Sequence, residues 1–276
     1  MELSLPVAAA VLGAALLHAG CNALVKASPD KQLDTVVVSA SAGLVALALA
    51  PWLQAPAPAA WPWLAASVAI HILYFAFLAG AYRWGELSYT YPVMRGGGPM
   101  IVALVGALAL GEVPSWNEAL GIGIICLGVL GFAAGRHDRR ATLFAAGNAA
   151  VIAAYTLIDA QGVRASGAAP GYVLWFFAGN GVVITAAGLA RRGRAVPEYL
   201  GRHWARGAVG GVCSLAAYGI ALWAMTRAPV ALVAALRETS VIFAALIGAL
   251  FLNEKLTRRR LAATGAVMLG LAALRL

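Results

Sequence analysis

Charge is what this sequence has least of. Only 11% of its 276 residues are Asp, Glu, Lys or Arg, against about 25% in a typical soluble domain. In a chain that is 62% hydrophobic, this deficit excludes a soluble globular protein and makes lipid the solvent. Cysteine is scarce too. Cys21, Cys126 and Cys213 each sit in an apolar run, which excludes a disulfide framework or a CxxC metal site. The HExxH, GxSxG and paired-aspartate patterns of a membrane enzyme are missing, as is the GxxxxGK[ST] loop of direct ATP use. Neither catalysis, nor a cofactor, nor a metal is expected. Glu2 and the lack of a basic leader argue against a cleaved signal peptide.

What is present is a series of long apolar runs. A hydrocarbon core of about 30 Å needs about 20 helical residues per crossing. Ten stretches qualify, near residues 4–25, 34–53, 61–83, 87–110, 116–135, 142–163, 170–190, 204–226, 229–252 and 258–275. The net charge of +9 falls in the short loops between them rather than on one exposed face, so it reads as topology and not as nucleic-acid binding.

The chain also repeats itself. "VALVGALALGE", Val102 to Glu112, aligns with "AALIGALFLNE", Ala244 to Glu254, and the same register sets Arg95 on Arg237 and Gly128 on Gly270. This predicts two five-helix halves, 1–138 and 139–276. An odd number of spans per half turns the second copy upside down, and the loops carry the matching signature. "GEVPSWNE" after the fourth span has no Lys or Arg, while "NEKLTRRR" after the ninth has Lys255, Arg258, Arg259 and Arg260. "APAPAAWPW" after the second span is uncharged, while the loop after the seventh carries Arg191, Arg192, Arg194, Arg202 and Arg206. Homologous loops of opposite bias are what an inverted repeat predicts. The expected fold is all-α and integral to the membrane: ten transmembrane helices as two inverted repeats around a central cavity. The basic loops after helices 1, 5, 7 and 9 are placed in the cytoplasm and both termini outside.

These features resemble the drug/metabolite transporter superfamily. The "LGE" and "LNE" ends of spans 4 and 9, and "RAPVALVAALRETSVIFAALIGALFLNEKLT" from Arg227 to Thr257, are similar to its EamA-type ten-helix branch. The resemblance implies secondary transport of a small molecule across a bacterial-type cytoplasmic membrane by alternating access. Efflux of an amino acid-like, zwitterionic or anionic metabolite is the expected activity. Uptake of an organophosphonate or related compound is the alternative, since "HAGCNALVK", His18 to Lys26, resembles members of that context; a multidrug or amine exporter is another. The superfamily's four-helix exporters use a glutamate in span 1, which this chain lacks. The expected partners are the substrate and the bilayer, with no obligate protein partner, as a monomer or homodimer.

The candidate site follows from polar groups placed where lipid forbids them. In "PVMRGGGPM", Arg95 lies about eight residues into span 4, or about 12 Å along the axis, near the midplane. An arginine there must face protein or water. Pro92, Gly96, Gly97, Gly98 and Pro99 around it predict a broken helix lining a water-filled site, the alternative being a packed kink. Arg237 takes the equivalent place in span 9. Two arginines near the axis suggest a carboxylate, phosphonate or phosphate on the substrate, unless Glu238 or Asp159 neutralises one of them. His18, Asn22 and Lys26 form one stripe on span 1, with His18 and Asn22 expected in the cavity and Lys26 at the interface. Asp159 and Glu238 are candidates for proton or charge coupling, Asp159 alternatively pairing with Arg164. His71, Tyr74, Trp175 and Tyr218 are the aromatic-layer candidates, able to hold an apolar body or an ammonium group.

Overall fold

The structure, a computed structural model, describes the chain except residues 1–2, 27, 29, 134–137, 252–256 and 275–276; side chains at 22–26, 31, 87–88, 248, 251 and 260 also lie outside it. The described residues are helical with short connections. The helices are α1 (Leu5–Lys26), α2 (Lys31–Leu49), α3 (Trp61–Trp84), α4 (Leu87–Ala109), α5 (Trp116–Leu130), α6 (Arg139–Ala165), α7 (Ala169–Arg192), α8 (Ala195–Met225), α9 (Val230–Arg237), α10 (Ser240–Phe251) and α11 (Arg258–Ala273).

Helix starts are written in the sequence. Asp30 caps α2 by accepting from the N–H groups of Gln32 and Leu33, and Ser115 with Glu118 forms a reciprocal capping box on α5. Asp138 caps α6. Among the described residues, seven helices are long and apolar enough to cross a membrane, and three further apolar helices are shorter. The α8 helix carries a non-helical residue, His203, one position before the expected start of the eighth span.

The expected broken helix lies elsewhere. α4 runs as continuous helix through Pro92 and Pro99, and the interruption falls between α9 and α10, at Glu238 and Thr239. The glycines of α4 have a packing role instead. A Cβ on Gly96 would stand 2.8 Å from Leu130 Cγ and 3.0 Å from the Cys126 carbonyl oxygen on α5. One on Gly97 would stand 3.0 Å from Ala149 Cβ, and one on Gly98 3.0 Å from Ile152 Cγ2, both on α6. Three consecutive glycines point three ways round a helix, so α4 is flanked closely on two sides. Small residues at such contacts are how membrane helices gain van der Waals packing. Gly207 and Gly211 on α8 do the same against Val37 and Ala42 of α2.

The helices pair across the two halves of the chain. α3 and α4 pack on α6, while α8, α9 and α10 pack on α1; α2 packs on α7 and α8, and α5 on α11. The expected Glu112–Glu254 correspondence, together with Lys255, falls partly on residues outside the described set.

Candidate functional site

Eight helices turn one face each toward a common cavity of about 250 Å³. Helical spacing explains which residues arrive there. Tyr91 and Arg95 are one turn apart on α4, as are His71 and Tyr74 on α3, and Ser214 and Tyr218 on α8. α1 contributes His18, α2 Ser39, α6 Tyr155, α7 Phe176, Phe177 and Asn180, and α9 its last residue, Arg237. Among the described residues, α5, α10 and α11 contribute nothing to the lining.

Much of the wall is aromatic. The His71 ring centroid lies 4.4 Å from that of Tyr155 and 5.0 Å from that of Phe176. Tyr218 lies 5.4 Å from Phe176. His71 Nδ1 stands 2.8 Å from the Ser67 carbonyl oxygen. A carbonyl only accepts, so Nδ1 carries the proton and Nε2 is the acceptor of the neutral ring.

The two arginines differ. Arg95 Nη2 stands 2.9 Å from Glu238 Oε1, and both side chains are buried. Arg95 Nε and Glu238 Oε2 have no hydrogen-bond partner among the described residues. Arg237 makes no ion pair among the described residues; its guanidinium lies 5.0 Å from the centroid of the Tyr218 ring. The adjacent Arg237 and Glu238 make no direct ion pair, although the Arg237 charge still acts on Glu238. Glu238 reaches α4 instead, at the tightened turn that ends α9.

Asp159 sits behind the wall, 0% exposed. The Tyr218 hydroxyl donates to its Oδ2 at 2.6 Å and the Tyr172 hydroxyl to its Oδ1 at 2.9 Å. The alternative pairing with Arg164 is not formed. Arg164 Nη1 meets Glu112 Oε1 at 2.6 Å, and Arg164 Nε donates to the Met225 carbonyl oxygen.

Of the residues expected at the site, His18, His71, Tyr74, Arg95, Tyr218 and Arg237 line the cavity. Asn22 and Lys26 have side chains outside the described set. Trp175 is not in the lining: it packs edge-on against Trp61 at 5.1 Å, and its neighbours Phe176 and Phe177 face inward. Sequence reasoning missed Tyr91, Ser39 and Ser214 of the lining, Tyr91 being the largest. Its signal was available, since it lies four positions before Arg95 and so shares that arginine's face.

Residues 139–276 match the EamA-like transporter family. A solved crystal structure, titled only as that of a protein, is similar with a TM-score of 0.76 at 17% identity, covering 97% of this chain and 94% of that one. That likeness concerns the fold. No curated protein matches the sequence. With the family spanning the second half of the chain and the fold extending over nearly all of it, the chain belongs to the EamA-like transporter family, membrane transporters of the drug/metabolite type.

Proposed function

We propose that this chain is a secondary transporter of a small zwitterionic or anionic metabolite, amino acid-like in charge and size, working by alternating access. One observation carries the reading: Arg237 presents a guanidinium to the cavity with no ion-pair partner among the described residues. A cation held in a membrane interior is costly unless something compensates it, and a substrate carboxylate, phosphonate or phosphate does so bidentately. Arg95 Nε, with His18 and Asn180 nearby in the lining, supplies further polar contacts. Tyr74, Tyr155, Phe176 and Tyr218 would enclose the apolar body. The cavity of about 250 Å³ lies below the ~300–1,000 Å³ of drug-sized ligand pockets, which weighs against a multidrug exporter.

In this reading the chain makes ten crossings as two inverted halves, 1–138 and 139–276, with α9 and α10 as the interrupted ninth. The exchanged pairings support it: α3 on α6 answers α8 on α1, and α4 on α6 answers α9–α10 on α1. The basic loops after α1, α5, α7 and α10 are cytoplasmic and the termini outside, in a bacterial-type cytoplasmic membrane. Substrate and bilayer are the only partners proposed, for a monomer or homodimer.

Efflux is the first reading of direction, following the family resemblance. Uptake, as of an organophosphonate, is the second, and the buried Asp159 favours it because a proton could enter with an anion. Counterflow in proteoliposomes tests the substrate class. Exchange of amino acids or organophosphonates is expected; exchange of lipophilic amines alone would contradict it. A C-terminal reporter found in the cytoplasm would overturn the orientation.

A further inference from the structure

Four Arg, Asp and Glu side chains stand in the cavity wall or just behind it, Arg95, Arg237, Glu238 and Asp159, beside the histidines His18 and His71. Arg95 and Glu238 form an ion pair and cancel. Among the described Arg, Asp and Glu side chains there, Arg237 and Asp159 remain, with the Tyr218 side chain between them. Tyr218 lies with its ring against the Arg237 guanidinium and its hydroxyl on Asp159 Oδ2. Tyr218 thus stands between the Arg237 guanidinium and the Asp159 carboxylate, and His71 is the other titratable group that acts on Asp159.

We infer that Asp159 is the proton-binding site of the transporter, and that one proton on Asp159 binds together with one negative charge on the substrate at Arg237. This rests on the anion site proposed above and adds the coupling to it. While Arg237 is unoccupied, its positive charge on the far side of the Tyr218 ring favours the carboxylate form of Asp159. An anion on Arg237 offsets that charge, leaving a carboxylate wholly buried with two tyrosine hydroxyls and, among the described residues, no cation at ion-pair distance. A buried charge in that position takes up a proton. Linkage is reciprocal, so a protonated Asp159 leaves Arg237 uncompensated and strengthens its hold on the anion. At an effective dielectric of about 20, a unit charge one side chain away changes such an affinity by roughly tenfold.

The other groups facing Asp159 leave this assignment in place. α3 presents His71, whose Nδ1 is engaged with the Ser67 carbonyl. α7 presents Tyr172 and α8 Tyr218, both hydrogen-bond donors to the carboxylate. α6 adds Tyr155, α4 adds Arg95, and α9 carries Arg237 with Glu238 following it, the last tied to Arg95. Substrate and proton therefore share one occupied state and travel in the same direction. That makes the cycle a symport, which an inward proton gradient drives as uptake, the second of the two directions given above, and opposite in sense to a cation exporter in which proton and substrate compete for one carboxylate.

The test uses the purified full chain and infrared absorption of the protonated carboxyl group, assigned by its loss in Asp159→Asn. At one fixed neutral pH, Arg237→Gln or Arg237→Met, whichever folds, should raise the Asp159 carboxyl signal several-fold over wild type, and Arg237→Lys should not. A signal unchanged by removal of the arginine charge, or a carboxyl band that responds to Arg237 yet survives Asp159→Asn, overturns the assignment. The same chain is then titrated with L-glutamate at several pH values. If the linkage holds, the dissociation constant falls as pH falls in wild type and is independent of pH in Asp159→Asn. Glutamate binding equally at every pH refutes the coupling while leaving the anion site. A carboxyl signal that responds to Arg237 while no anion binds refutes the anion site alone.

Discussion

Glu238 follows Arg237 in sequence yet pairs with Arg95, on another helix, at 2.9 Å. Neighbours on a helix point about 100° apart and do not face one another. Here the backbone keeps αR dihedrals at Glu238 but tightens to i→i−3 hydrogen bonds at Glu238, Thr239 and Val241, and the carboxylate meets α4. The two arginines thus have different surroundings. Arg95 is held in a buried ion pair, and Arg237 faces the cavity with no ion-pair partner among the described residues.

That pair should be costly to break and cheap to replace. Removing one partner of a buried ion pair strands the other, a loss of about 3–5 kcal/mol. Arg95→Met and Glu238→Leu should each destabilise the protein on that scale. The double variant should lose far less than their sum, measured as a thermal or denaturant double-mutant cycle. Additive losses would show that the pair is not coupled.

The α4 glycines give a second prediction. Gly96→Ala places a methyl 2.8 Å from Leu130 Cγ and 3.0 Å from the Cys126 carbonyl, and overpacking of this kind costs about 1–3 kcal/mol. Gly123→Ala meets nothing within 4 Å and should be neutral or stabilising, since alanine is the better helix former. Equal effects in the thermal stability of the two variants would reject the packing role.

Outside the spans, Asp30 sets a pH dependence. The Leu33 N–H first, with Arg192 and the Gln32 N–H, holds its carboxyl below the usual carboxylate range. A depressed acid adds stability above its unfolded value of about 3.9, and that stability is lost as pH falls through the lower native value. Asp30→Ala should cost about 1 kcal/mol at neutral pH through loss of the α2 cap. The gap from wild type should shrink as pH drops below about 4. A gap that widened in acid would reverse the sign and reject the account.

Glu112 ties three segments at once. It pairs with Arg164 of α6 at 2.6 Å and accepts from the Val230 N–H at the start of α9, while Arg164 donates to the Met225 and Ala228 carbonyls. Glu112→Gln should loosen this end of the cavity, seen as faster hydrogen exchange at the start of α9 with little change in α2. Unaltered exchange at Val230 would mean the contact is incidental.

Depth and charge made much of the site legible. An arginine about 12 Å into an apolar run has few places to go, and both Arg95 and Arg237 line the cavity with His18, His71, Tyr74 and Tyr218. Helical phase was harder to read. Trp175 stood out by size, but about 100° of rotation per residue separates it from Phe176 and Phe177, and it packs on Trp61 instead. The Pro–Gly content of residues 92–100 looked like a broken backbone. A proline removes one donor and a glycine permits many conformations, yet close approach of α5 and α6 also selects glycine, and only three-dimensional contacts separate the two causes. The Arg95–Glu238 and Arg164–Glu112 pairings join distant segments, which no local spacing encodes.

The central claim is an anion site at Arg237, and ligand-induced stabilisation tests it most directly. A ligand that binds only the native state stabilises it by RT ln(1 + [L]/Kd), about 2.7 kcal/mol at a hundredfold excess over Kd. Wild type and Arg237→Gln would be melted against a panel of amino acids, organophosphonates, phosphate esters and lipophilic amines. The account predicts that zwitterionic or anionic compounds shift the wild type and fail to shift the variant. Equal shifts in both proteins, or shifts by lipophilic amines alone, would contradict it.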